Sequence, residues 1–248
     1  MDAHEQQPHL QVPWCQEEET TLKISGRNSA GFCGEATTRG RIVAQLAWAT
    51  DGKLLYEKPF DADGRPDGLE IEYDDAGRVL WLAHWVAGEM HGPAMQFDTE
   101  GLPVVVTEFV HGRGVDVWVN CGRVTEMRTT YNGIPDGLVR WGDPTLPNEE
   151  EYFARGRRHG IFRSWTGGSL PSGYPKFYVD VSEVSREAYL SARVTDPTLP
   201  PYDESDDANA RSMPLAVRDG VERAEQLRSA FSMDSYLRQE RAGTRGAR

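Results

Sequence analysis

The chain is 248 residues long and carries 39 Asp and Glu against 27 Lys and Arg, a formal net charge of −12 with a pI near 5.0. That balance excludes a reader of nucleic-acid backbones, which needs clustered Lys and Arg, and argues equally against electrostatic adhesion to anionic membranes. No apolar run approaches a membrane span, and the start Met1-Asp2-Ala3-His4-Glu5 has neither the basic nor the apolar part of a signal peptide. Cys15, Cys33 and Cys121 include no close pair, which suits reduced thiols in a cytoplasm better than a disulfide framework.

In chain order, residues 1–20 come first, with Gln6-Gln7-Pro8, Pro13 and the acidic run Glu17-Glu18-Glu19. They read as a flexible acidic lead-in. Residues 21–181 read as β. Leu22-Lys23-Ile24 and Arg41 to Trp48 are expected as the first strands.

From Phe60 a repeat sets in: two glycines four residues apart, preceded and followed by aromatics. The copies are Phe60…Gly64/Gly68…Tyr73, Trp85…Gly88/Gly92…Phe97, Tyr131…Gly133/Gly137…Trp141 and Phe153…Gly156/Gly160…Trp165. A worn copy spans Phe109, Gly112, Gly114 and Trp118. Between the pairs lie Asp51-Gly52, Asp75-Ala76-Gly77, Glu100-Gly101 and Asn120-Cys121-Gly122, the composition of tight turns that need positive φ. Leu69, Ile71 and Tyr73 alternate onto one strand face, and Val104-Val105-Val106 is β-branched. Each repeat is therefore a β-hairpin with a glycine turn at each end.

The fold expected is mainly β: an elongated antiparallel meander of stacked hairpins, closed by short C-terminal α-helices as a cap. A lone hairpin is marginal in water, so most of the aromatics must pack against neighbouring repeats. Any rings left exposed would be anchors for a partner protein. The candidates are Trp81, Trp85, Trp118, Trp141, Trp165 and, on the C-terminal helix, Phe231.

Asp143-Pro144-Thr145-Leu146-Pro147-Asn148 interrupts the pattern and is expected as a protruding loop, since proline cannot donate to a ladder. This place and the worn copy around Gly112–Trp118 are where partner-specific features are expected.

Lys176-Phe177-Tyr178-Val179 reads as a last strand, and residues 182–242 as the helical cap. Ser185 is the expected N-cap of a helix onto which Val184 staples Tyr189. Pro197, Pro200 and Pro201 stop it, and Asp203 to Asp207 form a solvated acidic loop. From Leu215, the spacing of Val217, Val221, Ala224, Leu227, Phe231 and Leu237 predicts one amphipathic helix. Its stripe either caps the last hairpin or docks on a partner. Residues 243–248 are expected as a disordered tail, with Arg238, Arg241, Arg245 and Arg248 in the fraying end.

Few residues are spaced for chemistry. His91, His111 and His159 each precede a repeat glycine, but equivalent positions on successive hairpins lie roughly 9–10 Å apart, too far to share a metal. Asp67 and Asp136 take the same place in other copies, which predicts a polar turn residue bonding the backbone. Glu70 and Glu72 alternate with apolar residues and are expected on the solvent face. Gly31-Phe32-Cys33-Gly34 lacks the Lys-Ser/Thr of a phosphate loop, and nothing cationic beside Cys33 promises a reactive thiol. The expectation is a non-enzyme with no catalytic residues, cofactor or metal.

The unit Trp85-Val86-Ala87-Gly88-Glu89-Met90-His91-Gly92-Pro93-Ala94-Met95-Gln96-Phe97 resembles the MORN repeat, and its alternation with Asp-x-Gly turns is similar to the bacterial MORN-like variant labelled as a YwqK-type toxin–antitoxin component. The resemblance covers roughly residues 50–167. The Phe109–Trp118 copy departs from it, and Tyr131-Asn132-Gly133 is one residue shorter. It implies a hairpin meander used for protein contacts and sometimes for lipid headgroups. A protein partner is therefore expected, either a basic toxin or effector or an assembly component, with a lipid-binding scaffold as the alternative.

Overall fold

The computed structural model of the chain describes residues 20–28 and 31–246; the expected lead-in, residues 1–20, lies outside the described residues except for Thr20, which opens the first strand. The strands are β1 (Thr20–Asn28), β2 (Gly31–Thr38), β3 (Arg41–Ala49), β4 (Leu54–Pro59), β5 (Gly68–Tyr73), β6 (Val79–Val86), β7 (Glu89–Phe97) and β8 (Pro103–Phe109). They continue with β9 (Arg113–Asn120), β10 (Arg123–Tyr131), β11 (Ile134–Asp143), β12 (Leu146–Ala154), β13 (Arg157–Arg158), β14 (Gly160–Ser164), β15 (Lys176–Val179) and β16 (Ser182–Val184). The helices are α1 (Arg186–Thr195), α2 (Leu215–Arg228) and α3 (Met233–Gly246), with a 3-10 turn at Glu204–Asp207. The protein is mainly β, every strand pair is antiparallel, and the strands pair in meander order.

The chain forms two compact units. One holds the described residues up to Leu102 together with those from Ala230 onward; the other is Pro103–Ser229. In the first, β1 to β7 pair in sequence order. Phe32, Ala36, Ala44, Leu46, Trp48 and Leu54 form a core on one face of its early strands. In the second, the sheet order is β16-β15-β14-β12-β11-β10-β9, with β13 beside β12.

The second glycine of each repeat pair takes a backbone conformation closed to other residues, and Asp67, Asp136 and His159, each just before one of them, tie one turn to the next. Gly68, Gly92, Gly137 and Gly160, second of each pair, sit at φ of 113°, 107°, 128° and 147°, a region only glycine enters without strain. The residue just before each was expected to bond the backbone. Asp67 Oδ1 accepts the N–H of Ala87 at 3.1 Å, Asp136 Oδ1 that of Arg155 at 3.0 Å, and His159 Nδ1 that of Asp180 at 3.2 Å. The three receivers have φ of 50°, 50° and 47°. Each side chain thus holds the left-handed turn residue of the next hairpin, about twenty residues on.

The turn at Gly64 and two of the intervening turns follow another rule. Asp61, Asp74 and Asp98 each accept the N–H groups two and four residues ahead, from Asp63 and Arg65, Ala76 and Arg78, and Glu100 and Leu102. The carboxylates that close these turns precede the Asp75 and Glu100 singled out from sequence.

Four expectations are corrected. Residues 143–148 are no protruding loop: β11 runs through Asp143, β12 starts at Leu146, and β12 is central, paired with β11 and with β13 and β14. Pro147 is tolerated because it stands at the strand's start, opposite Gly142 and next to a register shift. The single amphipathic helix is two, α2 and α3, interrupted at residues 229–232 and assigned to different units. The C-terminal arginines do not all fray: α3 reaches Gly246, and Arg241 donates to Glu57 at 2.8 Å. Glu70 does not face solvent: it is buried and accepts from Tyr56 Oη and Trp85 Nε1, both at 2.5 Å, with Lys58 Nζ at 3.4 Å. In that setting Tyr56 is held strongly protonated by burial and by the Glu70 charge.

Ser185 caps α1 as expected, accepting from Ala188 N–H at 3.2 Å, and Val184 and Tyr189 share a core with Ile161, Phe177 and Leu199. No helix among the described residues is long and apolar enough to cross a membrane.

Candidate interaction surface

The sheet of the second unit has two unlike faces, and the helices take only one of them. Val117 and Met127 project from β9 and β10 to the same side as Val105 of β8, where Val217 of α2 joins them in the core. Gly220 lets α2 approach closely, since a Cβ there would stand 2.9 Å from the carbonyl oxygen of Val106.

Further along the same face the packing becomes ionic. Glu150 on β12 is opposite Arg140 on β11 and Arg163 on β14, so all three side chains meet. Arg140 Nε donates to Glu150 Oε2 at 2.8 Å, and Arg163 donates to Oε1 at 3.1 Å. Arg163 Nε also reaches Asp207 Oδ1 at 3.0 Å, and Arg211 comes within 3.6 Å of Glu150. Arg163 and Glu150 are 1% and 2% exposed, so these charges persist only because they neutralise one another. The Tyr202 hydroxyl donates to Asp207 Oδ2 at 2.8 Å and is pushed up to about 12 by burial and by that bond. The acidic segment read as a solvated loop is therefore anchored on the sheet by Asp207.

The opposite face carries none of these helices. Cross-strand register sets its side chains in two rows, because directly opposed residues share a face. One row is Trp118, Glu126, Trp141, Glu149 and Ser164; the next is Asp116, Arg128, Val139 and Glu151. Trp118, Glu126, Trp141 and Glu149 are half-buried, with part of each side chain in solvent. Arg128 Nε donates to Glu126 at 2.5 Å, Trp118 Nε1 to Asp116 Oδ2 at 3.1 Å, and Ser164 Oγ to Glu149 at 3.3 Å. Burial pushes the Asp116 carboxyl up, against the opposing pull of the Trp118 bond and the Arg128 charge. Beyond β12 the face closes over: Phe162 meets Tyr174 edge-on with centroids 5.4 Å apart, and Arg158 lies over Phe162 and Tyr178.

The six aromatics proposed as anchors separate in this setting. Trp81 and Trp85 are buried in the first unit, Trp85 with its N–H on Glu70. Trp165 is buried in the second, with its N–H on the Asp207 carbonyl at 2.7 Å. Phe231 is half-buried in the first unit against Phe97 and Tyr236, with centroids 5.6 and 5.8 Å away. Trp118 and Trp141 come together on one row and keep exposed surface. The buried charges were invisible to sequence reasoning, since Glu150, Arg163 and Asp207 are joined only by register and by a segment returning to the sheet.

Among the described residues no three His, Cys, Asp or Glu side chains are placed to hold a metal. Cys33 and Cys121 are exposed free thiols.

No protein-family profile and no curated protein matches the chain. Among solved structures, "accessory secretory protein 1,2 and 3" of Streptococcus pneumoniae is similar at 13% identity over 46% of this chain and 19% of its own, with a TM-score of 0.29. A "GtfA/B complex bound to UDP and GlcNAc" is similar at 18% identity over 43% of this chain and 22% of its own, with a TM-score of 0.28. The chain thus spans about a fifth of the length of either structure.

Proposed function

We propose that the protein is a non-catalytic binding module of MORN-like type, which holds a partner protein on the open face of its second sheet. The role that fits best is that of a bacterial cytoplasmic antitoxin, immunity protein or scaffold. One observation carries this reading: Trp118 and Trp141 stand in a single row with Glu126 and Glu149 between and beside them, on the face that no helix of their unit covers. Half-exposed tryptophans on a rigid sheet supply the large, conformationally cheap contact area on which protein interfaces concentrate their energy. The carboxylates beside them add charge selectivity and a faster encounter with a basic partner.

Co-expression with the products of adjacent reading frames, followed by co-purification, tests the proposal. A protein retained by the wild type, lost from a Trp118→Ala/Trp141→Ala double variant and kept by Val194→Ser on the exposed surface of α1 supports it. A partner retained equally by the double variant, or no retained product, contradicts it.

A further inference from the structure

We infer that the occupant of this face is a basic segment in polyproline II conformation, lying across the strands with a cationic residue at every third position. The inference rests on the proposed function and specifies its ligand.

The spacing of the row selects the conformation. Neighbouring strands are about 4.8 Å apart, so Trp118 and Trp141, two strands apart, are separated by roughly 10 Å. Glu126 and Glu149 are also two strands apart and repeat at the same interval. A polyproline II segment rises about 3.1 Å per residue with three residues per turn, and therefore presents like side chains every ~9.3 Å. A β-strand presents them every ~6.7 Å and would fall out of step after one contact.

Charge and hydrogen bonding select the composition. Four carboxylates on this face, Glu126, Glu149, Asp116 and Glu151, stand against the guanidiniums of Arg128, which donates to Glu126, and Arg158, which pairs with Glu151, so acid is in excess and Glu149 has no guanidinium partner among the described residues. The two rings offer faces for proline stacking and for cation–π contact. A polyproline II backbone has no internal hydrogen bonds, so its carbonyls need donors. The indole N–H of Trp141 has no hydrogen-bond partner among the described residues, whereas that of Trp118 is engaged by Asp116. Trp141 is thus the ring able both to stack and to donate to a ligand carbonyl.

The test is a binding titration of the full chain with three synthetic 12-residue peptides at low and physiological salt. The peptides are an Arg-Pro-Pro repeat, a Glu-Pro-Pro repeat, and an Ala-rich helical peptide with arginines seven residues apart. Only the Arg-Pro-Pro repeat is expected to bind, more weakly as salt rises. Its affinity should fall on the order of tenfold in Glu126→Gln/Glu149→Gln, a variant that keeps side-chain shape. Trp141→Phe, which retains a ring but not the N–H, should bind more weakly than wild type. Equal binding of the Glu-Pro-Pro repeat, tighter binding of the helical peptide, or failure of all three overturns the inference. In each of those cases a partner that co-purifies through Trp118 and Trp141 leaves the binding-module reading standing, so the two failures can be told apart.

Discussion

Asp136 holds Arg155: the carboxylate of one hairpin accepts the backbone N–H of the left-handed residue that turns the next, at 3.0 Å. The same relation joins Asp67 to Ala87 and His159 to Asp180. It gives Asp67, Asp136 and His159 a mechanical role, coupling neighbouring turns alongside backbone bonds such as Gly88 N–H to Pro66 O at 2.8 Å and Gly156 N–H to Pro135 O at 2.7 Å. Asp136→Ala is expected to cost about 1 kcal/mol in chemical unfolding, the ordinary value of a lost hydrogen bond at a turn, with Asp136→Asn recovering most of it.

The repeat glycines should differ in tolerance according to what surrounds them. At Gly160 a Cβ would stand 2.5 Å from the Cβ of Tyr152, with Pro200 at 3.0 Å, so Gly160→Ala must displace a strand as well as strain φ. A loss of several kcal/mol is expected, enough to lower soluble yield. At Gly101 nothing lies within 4 Å, and Gly101→Ala should cost only the left-handed conformation, about 1 kcal/mol. Thermal unfolding of the two variants side by side measures the difference.

The buried ionic cluster should be intolerant of single changes. Glu150→Gln leaves Arg140 and Arg163 without their shared counter-charge in the interior, and a loss on the order of 3 kcal/mol is expected in urea unfolding. Asp207→Asn should instead loosen residues 196–214 locally, visible as faster amide exchange in that segment with the strands still protected.

Two carboxyls on the second unit should give opposite pH dependences. Burial raises Asp116, so the folded state binds its proton more tightly than the unfolded state does. Its contribution is present below the ordinary carboxylate range and is lost as pH rises through the raised value. Asp143 is lowered, chiefly by the Thr145 hydroxyl and amide, so its contribution is present above the ordinary range and is lost as pH falls through the lowered value. Asp116→Asn should therefore flatten the decline on the rising side, and Asp143→Asn the decline on the acid side. Unfolding midpoints between pH 3 and 7 read both.

Much of this architecture could be read locally. Glycine pairs and alternating Leu69, Ile71 and Tyr73 specify hairpins because turn φ and strand period are properties of a few adjacent residues. The cap at Ser185 and the turn role of Asp67 and Asp136 were legible for the same reason. Charges on strands were not. Glu70 alternates with apolar neighbours as a solvent-facing residue would, and only the register that puts Tyr56 and Trp85 beside it explains its burial. The break at residues 229–232 was hidden because Phe231 and Leu237 continue the helical spacing of α2 by chance of composition. On the candidate surface, six aromatics of similar character were indistinguishable until cross-strand pairing placed Trp118 and Trp141 in one row and buried Trp81, Trp85 and Trp165.

The most direct measurement of the central claim is site-specific photo-crosslinking in cells that co-express the neighbouring reading frames. A benzoylphenylalanine at position 141 sits on the open face, and one at Leu190 sits on exposed α1. The partner should crosslink from position 141 and not from position 190. A partner that crosslinks from position 190 but not from 141 would place the binding surface elsewhere and contradict the account.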